Sequence, residues 1–383
     1  MKKLYKDIIK FTKQSVETPS QNGIDSEKKI ANLVSKKLSS FGFSPKIIRN
    51  KKHPSVFCRI NKNPKGKTIW LEACLDTVVA GEKTKWQHPP LKAAIKRRKM
   101  YGRGTADSKA GIAIFCYLAK ELCQTSEFKG NLILGFDANE QSGEFTGIRD
   151  ILRQKPKADV CILGYPGTEE ITIGGRGWLR LEITARGKAA HTGARFNVGN
   201  NAIHQMIDII NALKNMDLGG KKEPFFKYGS SLNISLVKGG IAINMVPDEC
   251  EAKIDIRFLP SQSKKSIMKK IQEELKKLKK KNRNINYRID ILQSENAFLT
   301  DPQNKFIKLL QKNAEKELKK KIPLASSGAG SVGNVISKLG IPIVNGFGCD
   351  FGNAHALNEW IDITTIPKVF KIYRNTIIEY CST

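Results

Sequence analysis

The 383-residue chain contains no apolar run long enough to cross a bilayer as a helix, which takes about 20 consecutive apolar residues. Its opening, Met1-Lys2-Lys3-Leu4-Tyr5-Lys6-Asp7, has lysines but lacks the apolar stretch of a secretion signal. These two absences lead to the expectation of a cytoplasmic protein with no membrane partner. Eight cysteines are present but no C-x-x-C pair; Cys58, Cys116, Cys123 and Cys161 lie inside apolar segments and read as small core residues. Acidic residues are scarce, 36 against 66 lysines and arginines, for a formal charge of +30. No base-stacking motif or zinc-finger spacing accompanies that charge, so no specific nucleic-acid partner is expected. The excess reads either as a solvated lysine surface or as an attraction for acidic substrates.

What is present is the make-up of a soluble globular protein, 40% hydrophobic and 27% charged, long enough for two domains. Ser26 to Ser39 reads as a helix, with Ile30, Leu33, Val34 and Leu38 at helical spacing. Strand-like runs follow at Pro54 to Ile60, Thr68 to Leu75, Asn131 to Phe136 and Ala158 to Leu163, with a helix at Ala110 to Leu122. Near-continuous apolar strands mixed with helices indicate an α/β domain, a buried mixed sheet with helices on both faces. After Gly174-Gly175-Arg176-Gly177 the pattern changes. Strands at Trp178 to Ala185, Ser231 to Val237, Glu251 to Phe258 and Asn286 to Leu292 interleave with helices at Asn201 to Leu213 and Ser263 to Lys281. That β-α-β-β-α-β order is a ferredoxin-like α+β sandwich. The expected layout is a discontinuous catalytic domain, residues 1–176 and 295–383, interrupted by an inserted domain at residues 177–294.

Carboxylates fall where the predicted strands and turns end, which is where α/β folds build their sites. Cys74-Leu75-Asp76 closes one strand; Tyr101-Gly102-Arg103-Gly104-Thr105-Ala106-Asp107 leads into a helix expected near Ser108. Asn139-Glu140-Gln141 follows another strand, and His355-Ala356-Leu357-Asn358-Glu359 comes much later. In this order the phrases resemble the dinuclear-zinc aminoacylase and carboxypeptidase family, whose pattern is His-x-Asp, Gly-Arg-Gly-x-x-Asp, Asp-Glu-Glu, Gly-Glu-Pro and His-x-x-Asn-Glu. The resemblance runs from about the N-terminal helix to the C-terminus. It implies a zinc-peptidase-like catalytic domain and an insert that serves as lid and dimer contact, hence a homodimer.

Carried over by motif, the resemblance makes Asp107 the ligand that bridges two ions and His355 a ligand of one of them. It makes Glu140 the general base and Asp76 its companion. At three metal positions the chain departs from the family: Cys74 stands for the first His, Gln141 for the second Glu, and Tyr165, in Gly164-Tyr165-Pro166, for the Gly-Glu-Pro carboxylate. The family shell sets three carboxylates against two ions, whereas here only Asp107 and an ionisable thiol are left. The charge count therefore favours one zinc, held by Cys74, Asp107 and His355, over two, and leaves no zinc as the other outcome. The resemblance also places His191 beside the reacting carbonyl across the dimer. Asn244, Arg257 and the glycine-rich turn with Gly330 and Ser331 would bind a substrate bearing a free carboxylate.

Three functions fit these residues. The first is a one-zinc amidohydrolase acting on an N-acyl amino acid or small peptide, with Glu140 activating water. The second is a non-catalytic ligand-binding or dimeric relative with an eroded metal site. The third is a metal-independent hydrolase with Cys74 as nucleophile.

Overall fold

The computed structural model describes residues 2–48, 53–193, 195–196, 198–220 and 222–382. The chain divides into two compact units, one of Met1–Gly175, Leu299–Ser327 and Ser331–Thr383, the other of Arg176–Phe298 and Gly328–Gly330.

The first unit is built on a six-stranded mixed sheet. Its order is Lys46–Ile48, Ser55–Ile60, Asn131–Asp137, Thr68–Cys74, Val160–Leu163, Ile343–Val344. The strands from Asn131–Asp137 onward run parallel, while the first two pairings are antiparallel. All seven residues of Asn131–Asp137 are buried, as is all but the first of Thr68–Cys74, so the central strands lack the alternation of a one-sided sheet. Helices cover them. Eleven of the fifteen residues of Ala110–Gln124 are buried, and Phe115, Leu118 and Leu122 join Leu71, Leu134 and Phe136 in one core. The helix begins at Ala110, two residues past the expected Ser108, after a kinked turn over Thr105–Lys109 in which the Asp107–Ser108 peptide is cis.

One close approach fixes this helix to the sheet. A Cβ on Gly111 would lie 2.3 Å from the carbonyl oxygen of Gly164, which follows the strand Val160–Leu163 and precedes Tyr165. Gly111→Ala must push the helix from the strand end, and should cost about 1–3 kcal/mol of stability through overpacking. Urea unfolding reads that loss directly; an unshifted midpoint would show that the helix can withdraw freely.

The second unit is an antiparallel four-stranded sheet in the order Ser231–Gly239, Glu249–Phe258, Gly177–Arg186, Tyr287–Glu295. Counted along the chain these are second, third, first and fourth, the ferredoxin-like arrangement. Helices Ala202–Lys214 and Lys264–Lys281 supply Met206, Ile209, Leu213, Ile267, Ile271 and Leu275 to its core, against Leu179, Leu181, Ile183, Ile254 and Ile256. The lysines of the second helix occupy the opposite face, and Ser263 caps its start by accepting a hydrogen bond from the Ser266 N–H. Both units thus have the fold class read from the sequence: a mixed α/β domain and an α+β insert. No helix among the described residues is long and apolar enough to cross a membrane.

Candidate functional site

Four strand ends and turns of the first unit bring the acidic phrases together. Cys74 ends the strand Thr68–Cys74 and pairs in register with Asp137, the last residue of Asn131–Asp137. The turn after Asp137 bends through Asn139 at φ 57°, a left-handed conformation that Asn tolerates better than most residues. Asp76, fully buried, accepts the backbone N–H groups of Glu140 and Gln141, both at 3.0 Å, and so clamps that turn from below. Asn22 ties the clamp to the N-terminal loop, donating to Asp76 at 3.2 Å and to Asn139 at 2.8 Å. Burial pushes the Asp76 carboxyl up to about 6, against those N–H bonds, which favour its ionised form.

Asp107 is held from the other side. Arg103 and Glu359, at 2% and 1% side-chain exposure, form an ion pair at 2.6 Å. The other Glu359 oxygen accepts the N–H of Ala106 at 2.8 Å and of Asp107 at 3.3 Å. The Asp107 carboxylate then faces Cys74 at one oxygen and Gln141 and His355 at the other. His355 sits at φ 62° in a loop that also holds Asn353 and Asn358 left-handed. For a residue with a Cβ that conformation costs about 1–3 kcal/mol, so the loop over-determines where the imidazole sits.

The two oxygens of Asp107 have different neighbours. Cys74 Sγ lies 3.6 Å from Oδ1, while His355 Nε2 lies 2.8 Å from Oδ2. The Gln141 carboxamide nitrogen lies between them, 3.4 Å from Oδ2 and 3.8 Å from Cys74 Sγ. The Tyr165 hydroxyl donates to Glu140 Oε1 at 3.0 Å. Burial, and next the charge of Asp107, pushes the Cys74 thiol well above its usual range; the same two causes push up Glu140. Burial and then Glu140 keep the Tyr165 phenol protonated. The hydrogen bond to Asp107 raises His355, which favours imidazolium.

Zinc geometry sets a spacing requirement on this donor set. Ligand atoms sharing a tetrahedral zinc at about 2.0–2.3 Å stand about 3.3–3.7 Å apart. His355 and Asp107 are at hydrogen-bonding separation instead, and Cys74 and His355 address opposite oxygens of one carboxylate. Among the described residues no three His, Cys, Asp or Glu side chains are grouped so as to hold an ion. The expected set Cys74, Asp107 and His355 is therefore neighbouring but not assembled as a zinc cage. A carboxamide N–H and a phenol O–H point where the family pattern has two carboxylates, so the residues present do not fit a two-ion centre either.

Of the remaining expected residues, His191, Asn244, Arg257 and Gly330 belong to the second unit and Ser331 to the first. His191 is exposed at the end of a two-residue strand, its Nδ1 accepting the Gly193 N–H at 3.0 Å, and Asn244 is in an exposed turn. The Arg257 fork is already engaged by Asp255, at 2.6 Å and 3.1 Å, and shares that carboxylate with Arg180. Gly330 makes room for the Trp178 ring, 2.4 Å from a built Cβ. Ser331 has a structural role within the first unit. It is 4% exposed, donates to Asn345 Oδ1 at 2.6 Å and caps the helix Val332–Ile336 by accepting the Gly333 N–H. Ser331→Ala should cost about 1 kcal/mol as a lost N-cap and leave ligand affinity unchanged, which denaturation and titration calorimetry together would read.

Sequence reasoning missed a buried acidic pair beneath the site. Glu72 and Asp137 are both fully buried on neighbouring strands, with Glu72 Oε2 bonded to Trp70 Nε1 at 2.7 Å. Burial pushes Glu72 up to about 8, and burial with the neighbouring Glu72 pushes Asp137 well above the carboxylate range. Burial thus favours the protonated form of both carboxyls. The signal in the sequence is an acidic residue within one apolar run, Glu72, and at the end of the other, Asp137; that Glu72 faces Gly135 is set by the strand register.

A family model described as the peptidase dimerisation domain matches residues 173–283. Succinyl-diaminopimelate desuccinylase of Hydrogenovibrio crunogenus is 26% identical over 373 residues, 94% of each chain. The enzyme of the same name from Pelagibacter ubique is 27% identical over 391 residues, 97% of this chain and 98% of its own. Together these matches support the dinuclear-zinc aminoacylase and peptidase family. An M20-family metallo-carboxypeptidase of Sulfolobus solfataricus shares the fold, with a TM-score of 0.83 over 98% of this chain and 100% of its own, at 21% identity. Similarity over nearly the whole chain makes the altered positions informative. Gln141, Tyr165 and Cys74 are departures within a complete family fold, not chance residues in an unrelated one.

Proposed function

We propose that this chain recognises a small peptide or N-acyl amino acid with a free carboxylate, without the family's two-ion hydrolytic centre. The ligand class follows from the relatives, which are named as a desuccinylase and a carboxypeptidase. The departure in chemistry rests on one observation: the Gln141 carboxamide donates to Asp107 and Cys74 from a position where the family pattern has a carboxylate. A donor there satisfies those groups internally and leaves no cage for a cation. Residues 1–176 and 295–383 are proposed as the part that carries this site. Residues 177–294, overlapping the dimerisation-domain match, are proposed as the lid and as the contact of a homodimer.

Equilibrium dialysis against N-succinyl and N-acetyl amino acids and dipeptides, with a chelator and then with added zinc, tests the reading. Binding in the chelator supports it. Binding that demands zinc would refute it.

A second reading, zinc-dependent hydrolysis with Glu140 as base, is favoured by one observation. Glu140 keeps the family position, only 7% exposed and fixed through its own N–H to Asp76. Turnover that rises with zinc and is abolished in Glu140→Gln would establish it. Cys74 as nucleophile has less support, because its thiol is 2% exposed and held protonated, and the thiolate is the reactive form.

A further inference from the structure

We infer that the place where the family's ions would sit takes a hydrogen-bond donor from the ligand, the protonated α-amine of a small peptide, in preference to a carbonyl oxygen. This deepens the proposed ligand-binding reading and rests on it. The argument is an inventory of donors and acceptors.

The donors pointing into the site are already used. Gln141 Nε2 bonds to Asp107 and Cys74, and the Tyr165 hydroxyl bonds to Glu140 Oε1. The Cys74 thiol meets Asp107 and Ser108, the latter at 3.2 Å, and His355 Nε2 meets Asp107. The nearby ammonium, Lys109, is buried and spends its donors on the carbonyls of Ser15 and Thr18, each at 2.8 Å.

The groups with capacity left are acceptors. Among the described residues Glu140 Oε2 and the Gln141 carbonyl oxygen take no hydrogen bond, and Asp107 has lone pairs to spare. A ligand carbonyl entering this space would find as donors only Glu140 when it carries a proton and the second ring nitrogen of His355, and would otherwise face acceptors; a buried acceptor without a donor is costly. An ammonium brings three donors and a charge opposite to that of Asp107, and charge-assisted bonds are the stronger kind. Acylating the amine removes that charge and leaves a single N–H. In the family two cations would occupy this space and attract the carbonyl oxygen. Without them the polarity of the site is reversed, so the end of the ligand that enters is the amine.

The test is equilibrium dialysis of the whole chain, in chelator, against a mixed-sequence dipeptide library offered as free-amine and as N-acetylated pools, with retained species counted by mass spectrometry. The expected result is at least a tenfold enrichment of free-amine over acetylated dipeptides. Glu140→Gln should lower that enrichment at least fivefold by exchanging one accepting oxygen for a donor. Tyr165→Phe, which releases Glu140 Oε1, should keep or increase it, and circular dichroism melts show whether each variant is folded. Equal retention of the two pools, or enrichment of the acetylated one, overturns the amine preference while leaving the ligand-binding reading in place. Retention of neither pool overturns both.

Discussion

Arg103→Met should lower the unfolding free energy of the first unit by about 3–5 kcal/mol, the usual consequence of removing one partner of a buried ion pair. The pair is well inside that category: Arg103 and Glu359 are at 2% and 1% side-chain exposure and 2.6 Å apart. Methionine keeps much of the packing volume, so the loss comes mainly from a buried carboxylate left without its cation. Burial already raises the Glu359 carboxyl, and Arg103 opposes that shift. The guanidinium also donates to the Ala356 carbonyl at 3.1 Å, next to His355, so its removal loosens the loop that presents the imidazole. The double variant Arg103→Met with Glu359→Gln should recover at least half of the loss. A neutral Gln needs no cation, yet its carbonyl can still accept the Ala106 and Asp107 N–H groups. Urea unfolding of both variants checks this; a single-variant loss below about 1 kcal/mol would show that the pair contributes little.

Restoring the family residues at three positions should turn a chain that takes up less than one equivalent of zinc into one that takes up about two. The variant is Cys74→His with Gln141→Glu and Tyr165→Glu. Each change acts on a named contact. Glutamate at 141 replaces the carboxamide N–H that faces Asp107 and Cys74 with an acceptor, and glutamate at 165 replaces the phenol that caps Glu140. The pocket gains two carboxylates and an imidazole, and this added charge is what two divalent ions need for compensation. Without zinc the same variant should be less stable than wild type, because it crowds carboxylates around Asp107 with no counter-charge. Elemental analysis after dialysis and thermal melts with and without zinc read the two effects. Wild-type protein retaining a full equivalent through chelation would mean that Cys74, Asp107 and His355 rearrange into a working cage. The reading of a hydrogen-bonded site would then be wrong.

Several features were legible from local sequence because their causes are local. The apolar runs Thr68–Cys74 and Asn131–Asp137 are nearly continuous because both faces of their strands are covered, and that requirement acts on each residue separately. The ferredoxin-like order of the insert followed from alternating strands such as Glu249–Phe258 and from the spacing of Ile267, Ile271 and Leu275, which the strand and helix periods impose. The short phrases around Asp76, Asp107, Glu140 and His355 carried the family resemblance because turns at strand ends constrain residue types within a few positions.

What only the tertiary structure decided concerns direction and pairing across the chain. The family resemblance and a charge count suggested that Cys74, Asp107 and His355 could share an ion. Which oxygen of Asp107 each one meets depends on a strand end, a kinked turn and a left-handed loop arriving from separate places. The use of Gln141 as a donor to Asp107, of Ser331 as a cap and of the Arg257 fork by Asp255 is likewise set by orientation. Arg103 and Glu359 are 256 residues apart, and Glu72 and Asp137 meet only because their strands are neighbours in the sheet. Composition and periodicity report what a residue can do. Which of its hydrogen-bonding capacities are already spent is a property of the folded neighbourhood, and in this site that decides whether a cation or a donor fits.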